Sequence, residues 1–283
     1  MRISVVIPTY NRASLLGRAL ASAYAQTALP AEVIVVDDGS TDGTAELVRE
    51  HFPSAKYCFQ ENRGVSAARN RGIGLATGSW IALLDSDDEW RPEKLERQSA
   101  ELAANPDYGL CHCDEVWMRS GRRVNAGSRH VKAGGHIFRR CLPLCAISPS
   151  AAMIRRRVFD EIGGFDESLP ACEDYDFWLR YCARYPVLYV DEKLVIKHGG
   201  RRDQLSQAVE GLDRFRIRAL EKILSAGALG APDSRAARRM LIQKIRIYAA
   251  GAAKRGRDQE ADALLARAQV HCEVLAQAKE GRA

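Results

Sequence analysis

Short apolar runs closed by turn-forming residues recur through the first two thirds of the chain, and apolar residues at helical spacing take over toward its end. Residues 3–7 are a β-branched run closed by Pro8, which predicts a strand, and Asn11 is the expected N-cap of a helix over 14–20. Residues 32–36 predict a second strand, which runs into the turn-rich stretch 37–44 and a helix over 45–51. A third helix is expected over 66–76, broken by Gly78, and a buried strand over 80–84 follows. The next helix runs from Pro92 through Ala104 and is closed by Asn105 and Pro106; further strands are expected over 108–118, 146–154 and 187–196. Residues 119–135, polar and basic with glycines, border no core segment and read as a candidate lid or acceptor loop. Alternating strands and helices with short connections predict an α/β chain whose parallel strands are covered on both faces.

Beyond about Asp203 the texture becomes helical. Leu241, Ile245, Tyr248 and Ala252 form one stripe and Leu264, Ala268, His271 and Leu275 another, both read as core-facing. The expected organisation is therefore one large domain, 1–203, and a C-terminal helical region, 204–283. At 283 residues and 46% hydrophobic content the chain can bury a core of that size. Charge separates the two parts: from Ile196 to the end there are 18 Lys/Arg against 10 Asp/Glu, a net of +8, so the rest carries −2 of the total of +6. Such a segment suits solvated helix faces, phosphate-bearing acceptors or peripheral contact with an inner membrane surface. Pro8 follows only a few apolar residues, so no signal-peptide core is expected, and no apolar run approaches the roughly 18 to 20 residues that span a bilayer. A cytoplasmic location is expected. The spacings of the eight cysteines fit neither a zinc site nor a disulfide framework, and they read as buried thiols.

The candidate chemistry begins at Asp85-Ser86-Asp87-Asp88, three acids at the carboxyl end of the strand over 80–84. Strand ends of this kind are where open α/β sheets bind ligands. Carboxylates so close repel one another unless a cation sits among them, and hard oxygen ligands suit Mg²⁺ or Mn²⁺ carrying a nucleotide diphosphate. The competing role is a solvated acidic turn capping the next helix.

Three more segments converge on the same sheet edge: Pro8-Thr9-Tyr10-Asn11, Asp37-Asp38-Gly39-Ser40, and the helix start from Asn62 through Asn70. With this ordered set, residues 3–198 resemble the inverting glycosyltransferases of family 2, which implies a GT-A fold: a Rossmann-like mixed, mainly parallel sheet flanked by helices. The nucleotide-sugar half would be about 1–106 and the acceptor half about 107–203. The resemblance implies a UDP- or dTDP-sugar donor, a glycan or lipid-linked acceptor, and a place in surface polysaccharide or lipopolysaccharide synthesis. Asp38 would accept from the imide N–H of uracil or thymine, since an ionised carboxylate only accepts. Asp37 reads as turn chemistry. Pro8, Thr9 and Tyr10 would rim the base and ribose pocket. Arg69 would approach the donor or make a structural salt bridge. Asp85 would lie near the ribose, with Asp87 on the metal, or both roles would shift by one to Asp87 and Asp88.

The second half supplies Cys172-Glu173-Asp174-Tyr175-Asp176-Phe177-Trp178-Leu179-Arg180. It resembles the family's acceptor-side segment, in which Asp174 would be the general base and Glu173 its competitor. Phe177 and Trp178 would wall the base's pocket, and Asp176 would pair with Arg180 at i,i+4. His198 would touch the metal or pyrophosphate, with the following glycines and arginines closing over phosphates. His112, His130 and His136 read as loop or core residues. The glycine fingerprint of dinucleotide-binding folds and the P-loop motif are both absent from the sequence, and no aromatic-interleaved basic patch points to nucleic acid. Two alternatives remain on sequence: a polyprenyl-phosphate glycosyl synthase, and a non-catalytic nucleotide-sugar-binding protein of the same fold.

Overall fold

The structure, a computed structural model, describes residues 1–125, 127, 130–201, 204 and 209–280. The boundary expected at Asp203, and Arg202 among the arginines expected to close over phosphates, lie outside the described residues. The first part runs β1 (Ile3–Thr9), α1 (Ala13–Tyr24), β2 (Glu32–Asp37), α2 (Thr44–His51), β3 (Lys56–Phe59), α3 (Val65–Leu75), β4 (Trp80–Leu83), β5 (Glu89–Trp90) and α4 (Lys94–Ala104). The second runs β6 (Leu110–Arg119), β7 (Arg122–Val124), α5 (Phe138–Cys141), β8 (Met153–Arg155), α6 (Arg157–Ile162), α7 (Glu173–Cys182) and β9 (Leu188–Gly199). Helices α8 (Asp213–Ser225), α9 (Ala231–Ala253) and α10 (Asp258–Glu280) follow.

One sheet orders these strands β3-β2-β1-β4-β8-β6-β9-β5, with β7 hairpinned onto β6. The expected parallel pairing holds for β3-β2-β1-β4 and for β6 with β9, whereas β8 pairs antiparallel with both neighbours and β5 antiparallel with β9. In β1 and β2 the period-two alternation sends Val5, Ile7, Val33 and Val35 to one face and Val6, Ile34 and Val36 to the other. The first face is covered by Leu16, Leu20, Val48 and Leu95 from α1, α2 and α4. The second is covered by α3, α5 and α7, and its apolar cluster continues into Ile217, Leu220, Leu241 and Ile245 of α8 and α9. Helix α3 approaches β1 so closely that a Cβ on Gly72 would overlap Val6 Cγ1 and lie 3.2 Å from Val36 Cγ2.

Register sets the functional edge. Thr9 lies opposite Asp37, and the Leu84 amide donates to the Val6 carbonyl at 3.0 Å, so three strands deliver their polar ends to one rim.

Four expectations need correction. Asn11 does not cap α1: it has φ 50°, its Oδ1 accepts from the Thr41 amide at 2.8 Å, and Asp42 Oδ2 accepts from Ala13 N at 2.9 Å in its stead. The strand expected over 146–154 contracts to Met153–Arg155, because Pro149 starts a 3₁₀ turn through Ala151. Edge strand β3, of four residues, and β5, of two, are too short to stand out in the pattern and escaped it. The cysteines are all free thiols, but Cys58, Cys145, Cys172 and Cys272 are only part-buried. Both C-terminal stripes face inward as expected, with Leu241, Ile245, Ala252, Leu264 and Ala268 buried.

Candidate active site

At the ends of β1 and β2 the first acids are engaged by the loops they organise. Asp37 is buried; its Oδ1 accepts from Ser40 N at 2.8 Å and its Oδ2 from the Tyr57 hydroxyl at 2.6 Å, the turn role expected of it. Burial and this carboxylate push the Tyr57 phenol up. Asp38, also buried, accepts at Oδ1 from Gln60 Nε2 (2.6 Å) and Arg63 N (2.9 Å) and at Oδ2 from Gly64 N (2.8 Å). A carboxylate has about four acceptor positions, so these three donors leave room for one more. Thr9 is buried beside it, while Tyr10 at the strand exit is 48% exposed and Pro8 is buried within β1.

Arg69, near the middle of α3, is 4% exposed and reaches two acids: its Nη2 lies 2.7 Å from Asp85 Oδ1, and its Nη1 pairs with Glu173 Oε1. Of the two roles open to Arg69, the structure fills the salt bridge. Burial opposes its charge, yet Asp85 and Glu173 hold its pKa raised. Glu173, a candidate base, is thus buried and ion-paired at the first residue of α7, and burial raises its carboxyl against the lowering effect of Arg69.

The remaining acids divide by burial. Asp88 is 2% exposed and accepts from the Ser150 hydroxyl at 2.7 Å and from the His198 amide at 3.2 Å. Asp87 Oδ2 lies 3.5 Å from both Arg12 Nη1 and Arg201 Nη2 and accepts from Gln204 Nε2 at 3.3 Å. Burial, and then the charge of Asp85, raise the Asp87 carboxyl. That like-charge strain is what a hard divalent cation relieves, and carboxylate oxygens are its usual ligands, so Asp85 and Asp87 fit Mg²⁺ or Mn²⁺. Asp88, with both oxygens engaged, fits a supporting role. Among the described residues no group of three or more His, Cys, Asp or Glu is arranged to hold a metal alone. The ring of His198 lies against Glu89, with Nε2 3.3 Å from Oε2, while its amide donates to Asp88.

Asp174 sits in the first turn of α7 and lines a cavity of about 690 Å³. Its Oδ1 accepts from Tyr175 N at 2.7 Å and its Oδ2 from the Cys145 thiol at 2.9 Å. Burial and the neighbouring Asp174 push the Cys145 pKa up, which keeps the sulfur protonated as a donor. Phe177 and Trp178 do not wall this cavity: both are fully buried, Phe177 stacking on Phe165 at 4.8 Å. Trp117, Pro143, Leu144 and Ile147 provide the apolar wall instead. Asp176 pairs with Arg180 Nε at 2.8 Å, as the i,i+4 spacing predicts. His130, read as a loop or core residue, lines the cavity with its ring 5.0 Å from that of Trp117.

Sequence reasoning missed Arg12, Cys145, Ser150 and Gln204. Arg12 follows directly on the Thr9-Tyr10-Asn11 exit, a local signal; the others arrive from distant segments and carry none. Lys197 is part-buried with its Nζ 3.1 Å from Ser148 Oγ; desolvation would lower its pKa, yet Glu115 and Asp88 hold it raised.

The model of the family described as glycosyl transferase family 2 matches residues 4–163. A Bacillus subtilis protein named as an uncharacterized glycosyltransferase, YwdF, is 33% identical over 192 residues, 66% of this chain and 70% of that one. Rickettsia prowazekii RP339, similarly named, is 33% identical over 69% of this chain. The match covers 63% of the length of RP339 and 35% of Rickettsia conorii RC0461. Among solved structures, S. aureus TarS 1-349 in complex with UDP-GlcNAc superposes with a TM-score of 0.68 at 21% identity, covering 87% of this chain and 72% of TarS. Mannosyltransferase PcManGT from Pyrobaculum calidifontis, in complex with GDP-Man and Mn²⁺, gives 0.62 at 21% identity, over 99% and 79%. These likenesses show a shared fold.

Proposed function

This chain belongs to glycosyl transferase family 2 and has the GT-A fold, and on that premise we propose that it moves a sugar from a UDP- or dTDP-sugar to a hydroxyl of a glycan or lipid-linked acceptor, with inversion. The observation that carries this reading is the bridge made by Arg69, which links Asp85 of the nucleotide-sugar half to Glu173, the neighbour of Asp174 in the acceptor half. Donor acids and base are thereby held in one constellation.

In this reading Asp38 uses its remaining acceptor position for the ring N–H of uracil or thymine, while Pro8, Thr9 and Tyr10 rim the base and ribose. Asp85 and Asp87 would hold Mg²⁺ or Mn²⁺, with Asp88, Ser150 and the His198 amide bracing the turn, and such a cation would supply charge stabilisation for the nucleotide diphosphate leaving group. Arg12 and Arg201, facing Asp87, supply further positive charge at the place where that diphosphate departs. Asp174 accepts the proton of the acceptor hydroxyl as its oxygen attacks the anomeric carbon from the opposite side. Cys145 and the Tyr175 amide orient that carboxylate.

The expected setting is surface-glycan synthesis at the cytoplasmic membrane face, with the basic C-terminal region as a peripheral contact; no helix among the described residues is long and apolar enough to cross a membrane. A high-salt wash that leaves membrane association unchanged contradicts electrostatic docking. The donor is tested by thermal stabilisation with nucleotides, with and without Mn²⁺. UDP or dTDP with metal should raise stability, by about 2.7 kcal/mol at about a hundred times Kd, and CDP should not. No shift with either nucleotide contradicts the proposal. A second reading, with a polyprenyl phosphate oxygen as the nucleophile, draws support from the cations lining the cavity beside Asp174. Such an acceptor is already deprotonated and would leave transfer independent of Asp174.

A further inference from the structure

The cavity beside Asp174 carries more positive charge than its own acids answer. Five cations line it, Lys132, Arg140, Lys197, Arg216 and Lys244, against Glu115 and Asp174. Glu115 serves Lys132 at 2.8 Å. A single carboxylate behind the wall, Asp213, serves both Arg216 (2.9 Å) and Lys244 (3.1 Å). Lys197 donates to the Ser148 hydroxyl and feels Glu115 and Asp88 without an ion pair to either, and Arg140 donates to the Val131 carbonyl at 2.9 Å.

Apart from the exposed Arg140, these are not freely solvated surface charges. The side chains of Lys132 and Lys244 are 7% and 12% exposed, so water and salt screen them less than they screen an open surface. The ammonium and guanidinium groups come from the loop before α5, from α5 itself, and from β9, α8 and α9, segments with no local reason to share a charge sign. Trp117 adds an apolar face, fixed by its indole N–H donating to Glu115 Oε2 at 2.9 Å. A concave site with an apolar wall, a candidate base and an excess of wall cations matches a sugar or polyol that bears a compact, multiply charged anion.

We propose that the acceptor carries a phosphate group, which Lys197, Arg216 and Lys244 bind in this cavity beside the hydroxyl that Asp174 deprotonates. The inference rests on the proposed transferase reading and names its acceptor class. The phosphate is a recognition group and takes no part in bond making: the hydroxyl oxygen forms the new bond to the anomeric carbon, its proton goes to Asp174, and the nucleotide diphosphate leaves with the bonding pair.

The test uses the full chain with UDP and Mn²⁺ at saturation, so that the donor site is filled. Binding of sn-glycerol 3-phosphate, inorganic phosphate and glycerol is then followed by calorimetry, and binding to phosphatidylglycerol vesicles by cosedimentation. The first two ligands distinguish a soluble phosphate ester from the free ion, and the vesicles report a lipid headgroup. The expected result is binding of at least one phosphate probe but not glycerol, weakened about tenfold or more in Lys244→Gln. Asp213 keeps Arg216 in that variant, and Arg216→Gln, in which Asp213 keeps Lys244, gives the same direction should Lys244→Gln fold poorly. Normal UDP binding with no phosphate binding, or phosphate binding equal in wild type and both variants, overturns the inference and leaves the transferase reading standing. Absence of both UDP and dTDP binding in the wild type overturns the transferase reading itself.

Discussion

Arg69 Nη2 lies 2.7 Å from Asp85 Oδ1, and the same guanidinium closes on Glu173 through Nη1. One buried cation thus joins α3, the end of β4 and the start of α7. Its removal leaves Glu173, 5% exposed, without its counter-charge, and breaking a buried pair costs about 3–5 kcal/mol. Asp85, 24% exposed, recovers part of its share from water, so Arg69→Met should cost about 3 kcal/mol. Urea unfolding measures this; an unchanged midpoint contradicts the bridge as a structural tie.

Gly72 and Gly74 share α3 and predict opposite outcomes. A Cβ at Gly72 meets Val6 and Val36, whereas at Gly74 it meets nothing within 4 Å. Gly72→Ala should destabilise by about 1–3 kcal/mol through overpacking, and Gly74→Ala should stabilise by about 0.5–1 kcal/mol through helix propensity. Thermal melts of both variants decide the matter, and equal shifts contradict the packing described for α3 on β1.

His112 is fully buried, with its ring donating from Nε2 to the Ala133 carbonyl at 2.9 Å. Burial, then Lys132, lower its pKa from 6.5 to about 4. Below pH 6.5 the unfolded chain takes up the proton first, so stability falls as pH drops toward 4 and no further below it. The loss from this residue is about 3 kcal/mol. Unfolding free energies measured from pH 7 to 4.5 should fall less steeply in His112→Phe than in the wild type.

The polar sheet edge was legible because a parallel strand ends where its apolar run ends, and Thr9, Asp37, Asp38 and Asp85 follow such runs directly. Asp37 and Asp176 could even be assigned to turn and ion-pair roles from spacing alone. The cavity beside Asp174 was less legible. Phe177 and Trp178 adjoin Asp174 in sequence, but packing against Phe165 and the core takes both away from the cavity. The cavity's own lining, Trp117, Cys145, Lys197 and Lys244, is gathered from four separate segments by long-range contacts. Hydrophobic periodicity does not encode such a gathering. Pro149 explains the lost strand: a residue without an amide hydrogen cannot extend a ladder, and its turn carries Ser150 to Asp88.

The central claim is that Asp174 is the base of a transfer whose donor site lies across the Arg69 bridge. The most direct test compares Asp174→Asn with the wild type in two assays on the same preparation: sugar transfer, and UDP binding in Mn²⁺. The account predicts a fall in transfer of about 10²–10⁴-fold with UDP affinity unchanged. Transfer at the wild-type rate in Asp174→Asn would contradict it.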